Sequence, residues 1–197
     1  IDLSKFQTSS VTTMKYMFNS CFNLTNIDVS KFNTQNVKDM SFMFCNCTSL
    51  HSLDVDVSKF KTEAVTTMES MFENCNLIKN LDVSKFTTSS VKSMKALFRK
   101  CELLNNLDIS NFKTGSVNDM SYMFDSCKSL DKIDVSEFNT NLVNNMKFMF
   151  HNCISLQSLN LSSFKTGNVK TMESMFENCY LIDDLNLSTF DTSLVQN

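Results

Sequence analysis

Apolar and polar positions recur along this chain with a period of 26 residues. The stretch 81–106, LDVSKFTTSSVKSMKALFRKCELLNN, shows the unit. Leu81-Asp82-Val83 alternates apolar, polar, apolar, which predicts a short strand with one buried face. Met94, Leu97, Phe98 and Cys101 fall at i, i+3, i+4 and i+7, the spacing of one helix face. The residue before that Met is Thr13, Asp39, Thr67, Ser93, Asp119, Asn145 or Thr171 in successive copies. All seven belong to the residue types that cap helix N-termini by accepting orphan backbone N–H bonds. The pattern therefore predicts a two-turn helix starting there. Such a helix is too short to stand alone, and one copy cannot bury its apolar face unless copies stack.

Copies begin at Ile1, Ile27, Leu53, Leu81, Leu107, Ile133, Leu159 and Leu185. The expected organisation is a single solenoid domain over 1–197. Seven complete coils (1–26, 27–52, 53–80, 81–106, 107–132, 133–158, 159–184) are followed by a partial eighth (185–197). Fixed columns run through every complete copy: Ser4, Phe6, Thr8, Val11, Met14, Phe18, Cys21 and their counterparts. The third copy carries two extra residues in L53-D-V-D-V-S58, expected as a bulge beside the strand. At about 4.8 Å per coil, the stack would be roughly 36 Å long.

The pattern C-x-x-L-x-x-L-D-V-S-x-F-x-T-x-x-V-x-x-M-x-x-M-F resembles the 26-residue repeat of bacterial surface proteins, a relative of the BspA-type leucine-rich repeats. The resemblance covers the whole chain. It implies an α/β, right-handed leucine-rich-repeat-like solenoid, with one short parallel strand and one short helix per coil. It also implies a secreted or surface-anchored protein, at an extracellular or cell-surface location, associated with adhesion and host interaction. The nearest rival fold is an all-β parallel solenoid in which the Met–Phe segment is extended.

Net charge of −3, with both signs mixed along the chain, argues against a nucleic-acid binder. No apolar run reaches membrane-spanning length. The start on a repeat boundary and the stop within a repeat suggest a slice of a longer array, whose uncapped ends could associate end to end. With no Pro and two Gly, corners fall to Asn, Asp, Ser and Lys.

Nothing resembles a nucleophile–base pair, phosphate loop or metal cluster, so the expectation is a non-enzymatic chain without a cofactor. The Asp column (Asp2, Asp28, Asp54 or Asp56, Asp82, Asp108, Asp134) should point outward, giving way to Asn160 and Asn186. It reads either as a structural ladder bonded to Ser, Thr or Lys, or as an acidic strip for a cationic partner. The strip reading is best supported at Asp108, Asp134 and Glu137, where the Lys column (Lys5, Lys31, Lys59, Lys85) lapses. Calcium needs six to eight oxygen ligands, and no loop gathers them. The seven fixed Cys should form a buried, reduced ladder. Cys45 lies on a variable column with Asn19, Glu73, Arg99, Asp125, His151 and Glu177, expected to be exposed. Thr and Ser ladders should satisfy turn backbone groups rather than form an ice-binding face. The pairs Tyr16/Phe42 and Tyr122/Phe148 are candidate contact sites, or corner residues partly buried between coils. Candidate partner-binding residues are thus these four, with Asp82, Asp108, Asp134 and Glu137; the partner would be a host or matrix protein. The competing role is a spacer that presents another domain. His51 and His151 fall in different columns and carry no assignment.

Overall fold

Each coil is too short to satisfy its own backbone, and its neighbours complete it. The computed structural model describes residues 2–51 and 55–197. Within the Met–Phe segment, alternate amides point along the stack. Met94, Ala96, Phe98 and Lys100 donate to the carbonyls of Asp119, Ser121, Met123 and Asp125 at 3.0, 2.8, 3.0 and 2.7 Å. Asn118 donates back to Lys92 at 2.9 Å. The amides between close tight turns, Leu97 to Met94, Arg99 to Ala96 and Cys101 to Phe98. The same set recurs at the other complete junctions with small variations.

This corrects the expected helix: among the described residues there is none. A helix would use its amides internally and leave nothing to bind the next coil. The segment is not extended either, so both sequence-level pictures give way to consecutive turns. Turns closed by i→i−3 bonds bury the same i, i+3, i+4, i+7 face. Met94, Leu97, Phe98 and Cys101 are all fully buried. The expected capping column keeps its chemistry without the helix: Asp39 accepts the Ser41 amide at 2.8 Å and Asp119 that of Ser121 at 2.8 Å.

The turns require positive φ at two positions per complete coil. One column is Tyr16, Phe42, Ser70, Ala96, Tyr122, Phe148 and Ser174; the other is Ser20, Asn46, Asn74, Lys100, Ser126, Asn152 and Asn178. Each costs about 1–2 kcal/mol in a residue with a Cβ, offset by the bonds between coils. Lys100, at φ 56° with an exposed side chain, isolates this strain. Lys100→Gly is expected to raise stability by about 0.5–1 kcal/mol, less than the full relief because glycine loses more freedom on folding. Urea midpoints of the two proteins would check it.

The strand prediction also needs correction. Among the described residues the Leu-Asp-Val columns yield two strands of two residues, β1 (Asn80–Leu81) and β2 (Asn106–Leu107), paired parallel. The longer parallel ladder runs through the capping column, Thr13 to Asp39 to Thr67 and onward to Thr171, as single bridges. Ile27 bridges to Val55, so Asp56 rather than Asp54 takes the ladder position. The bulge expected within 53–58 lies partly outside the described residues, at 53 and 54.

Two further ladders seal the interior. Phe18, Phe44, Phe72, Phe98, Phe124, Phe150 and Phe176 stack with centroids 5.5–6.1 Å apart. The cysteines are free, as expected, and Cys47, Cys75, Cys101, Cys127 and Cys153 are fully buried. Each of these thiols donates to a Phe carbonyl of the preceding coil at 3.1–3.2 Å. Burial pushes the thiols of Cys47 and Cys101 up to about 12.

The buried Thr column clamps the opposite corner. The Thr88 hydroxyl accepts the Lys113 amide at 2.7 Å and donates to the Lys113 carbonyl at 3.0 Å. Thr34, Thr62, Thr114, Thr140 and Thr166 do the same one coil on. Thr88→Val keeps the shape and strands both groups, so a loss of about 1–3 kcal/mol in urea unfolding is expected. Thr88→Ser, which retains the hydroxyl, should recover most of it.

Candidate functional site

Two surfaces collect the predicted residues. The first is the Leu-Asp-Val face. The buried residues at both ends of each Leu-Asp-Val triplet fix the backbone so that the Asp between them points to solvent. Asp82, Asp108 and Asp134 are exposed there, as is Glu137. An open groove of about 380 Å³ is lined by Asn106, Asp108, Lys132, Asp134 and Asn160 above Leu107 and Ile133. A second hollow, lined by Asn80, Asp82 and Ser84, shares Asn106 and Asp108 with it. Asp82, Asp108 and Asp134 thus line two adjoining hollows that together span several coils, while Glu137 lines neither.

Each Asp closes a small turn. Asp108 accepts the Ser110 amide at 3.0 Å and hydroxyl at 2.7 Å; Asp134 accepts those of Ser136 at 2.9 and 2.6 Å. Asn160 and Asn186 accept the same amide bond. The Ser half of the structural-ladder expectation therefore holds. Among the described residues no ion pair joins Lys31, Lys59 or Lys85 to this ladder. The Ser110 hydroxyl, then its amide, hold Asp108 below the usual carboxylate range, against a small opposing push from Asp134. Asp134 is lowered in the same way by Ser136. One carboxylate oxygen of each is occupied by serine. A cationic group can still approach the other, and the charge persists at neutral pH.

The second surface is the edge made by the turns. Tyr16 and Phe42 stack at 4.8 Å, and Tyr122 and Phe148 at 5.1 Å. Tyr16 is half exposed, while Phe42, Tyr122 and Phe148 are partly buried. The ring faces are engaged: the Arg99 guanidinium lies 4.7 Å from the Tyr122 centroid, Lys147 5.1 Å from that of Phe148, and His151 meets Phe148 edge-on at 4.8 Å. The pairs form as expected but offer rims, not open faces.

Beside them lies a cluster that the column reading missed. Asp125, its side chain 4% exposed, accepts Arg99 Nε at 2.8 Å, His151 Nδ1 at 2.7 Å and Ser126 Oγ at 2.9 Å. Arg99 also reaches Glu73 at 3.1 Å, and His151 Nε2 lies 3.9 Å from Glu177. Burial works against the Arg99 charge, but bonds to Asp125 and then Glu73 hold its proton more tightly than usual. The variable column was expected to be exposed; Glu177 is, but Cys45 and Asp125 are buried and Asn19, Glu73, Arg99 and His151 are partly buried. Positive φ in the turns folds this column back against the stack. Burial, with a contribution from Glu73, pushes the Cys45 thiol up to about 11. The readable signal was the order of charges, Glu73, Arg99, Asp125, His151, Glu177, one coil apart.

The family described as "Mycoplasma protein of unknown function, DUF285" matches residues 1–54, 47–133 and 97–197. No curated protein matches the chain. A crystal structure of a leucine rich cell surface protein from Faecalibacterium prausnitzii A2-165 is similar at 16% identity and a TM-score of 0.26, over 92% of this chain and 79% of the other.

Proposed function

We propose, for a chain that belongs to the DUF285 family, a role as a non-enzymatic protein-binding module of a surface or secreted protein. It would be adhesin-like, holding a host or matrix protein in the groove of its Leu-Asp-Val face. In this reading the solenoid is leucine-rich-repeat-like in its period and its L-D-V-S block. Its hand would be right, since parallel strands joined by a crossover in one sheet favour that hand, and β1 and β2 are such a pair. The observation that carries the role is the pair of adjoining hollows, one lined by Asn80 and Asp82 and the other by Asp134 and Asn160, which share Asn106 and Asp108. Solenoids offer such extended surfaces, and fixed carboxylates steer a cationic partner to them.

The test uses a replacement the chain already contains. Asn160 and Asn186 make the same turn as the aspartates, so Asp82→Asn/Asp108→Asn/Asp134→Asn with Glu137→Gln removes charge and keeps the fold. Binding of the variant to immobilised cells or matrix protein should weaken at least about tenfold, most at low salt. Unchanged binding by a folded variant would exclude the groove. A protein that binds nothing before substitution would favour the spacer, for which the unbroken backbone bonding from coil to coil is the supporting feature.

A further inference from the structure

Coils this alike could stack in more than one order. The interior cannot prevent this, because Phe, Met, Cys and Thr occupy the same places in every complete coil. The turn edge differs. Glu73, Arg99, Asp125, His151 and Glu177 each touch the next in the series, one coil apart. Glu69 meets Lys95 at 3.3 Å and Glu102 meets Lys128 at 3.0 Å, while Lys147 pairs with Glu173. Every junction from the third coil to the seventh therefore joins a carboxylate to a basic side chain. We infer that this edge is a coil-order key, a series of alternating acidic and basic side chains that disfavours any stack in which one coil is skipped.

A stack that skipped one coil would set Glu73 against Asp125, or Arg99 against His151. With the fourth coil skipped, Asp125 would face Glu73 in place of Arg99 inside the edge, where an uncompensated charge is costly. The same penalty applies when a coil of a second chain, offset by one place in the series, replaces the native one. Buried ion pairs contribute little net stability against apolar groups of similar size, and fixing register is their best-attested use. Near-identical coils make misassembly and exchange between chains the characteristic failure of such arrays.

A key and a glue are separable. Arg99→Met/Asp125→Leu/His151→Leu removes the central groups and leaves unpaired only the flanking carboxylates Glu73 and Glu177, both of which reach water. The whole chain should then melt within about 4 °C of the parent. After dilution from urea, however, its recovery as monomer, read by light scattering, should fall at least about threefold. Parental monomer recovery would overturn the inference. So would a stability loss as large as that of removing Asp125 alone, because the ladder would then be adhesive only. A second pair of variants decides the matter if the triple variant does not fold. Lys95→Glu should lower monomer recovery, and adding Glu69→Lys should restore it. Failure of the double exchange to restore recovery would also overturn the key.

Discussion

Replacing Phe124 by alanine is expected to lower the unfolding free energy by about 3–5 kcal/mol. The ring is fully buried and stacks on Phe98 at 5.9 Å and on Phe150 at 5.5 Å. Truncation empties a slot between two coils that other contacts hold at a fixed spacing, so the void cannot collapse. Because each coil touches only its neighbours, the damage is an interface loss on both sides of coil five. The unfolding curve should broaden or split as the flanking coils lose cooperation. Urea unfolding followed by circular dichroism and by hydrogen exchange would show it. A loss under about 1 kcal/mol would mean that the ring stack is not a principal support.

Asp125→Ala should cost about 2–4 kcal/mol. The substitution leaves Arg99 and His151 without their shared carboxylate in a partly dry corner. The figure sits below that for a fully buried pair because Arg99 keeps Glu73 and about a third of its side chain stays in water. Asp125→Asn should fall between the two, since the amide still accepts a bond but carries no charge. Equal stability of the alanine variant and the parent in urea would remove Asp125 from the structural account.

Which side chains face inward was legible at the level of columns. Met14, Phe18, the thiols and their counterparts take the burial their repetition implied, apart from partial exposure at the terminal coils, and the Thr ladder bonds turn backbone as expected. Backbone conformation was not legible from the same pattern. A run of turns and a short helix bury the same spacing, and apolar periodicity cannot distinguish them. One column did carry a signal. Asn46, Asn74, Asn152 and Asn178 mark a left-handed position that Asn tolerates and a helix interior does not favour. The other column hides it, because Tyr16, Phe42, Tyr122 and Phe148 are poor residues for positive φ, tolerated where bonds between coils impose the turn. At the candidate sites, the outward Asp row and the ring pairs followed from column position. The Asp125 cluster did not, since its column varies in type and only its order of charge is regular.

The thiol row has a chemical consequence. Every fully buried cysteine thiol is already donating its hydrogen to a neighbouring carbonyl, and desolvation keeps it from ionising. Oxidants and electrophiles attack the thiolate, so the interior sulfur stays inert while the coils remain closed. The buried row would thus withstand oxidising conditions without cross-linking, and a stack of such coils has no need of thiols in even numbers.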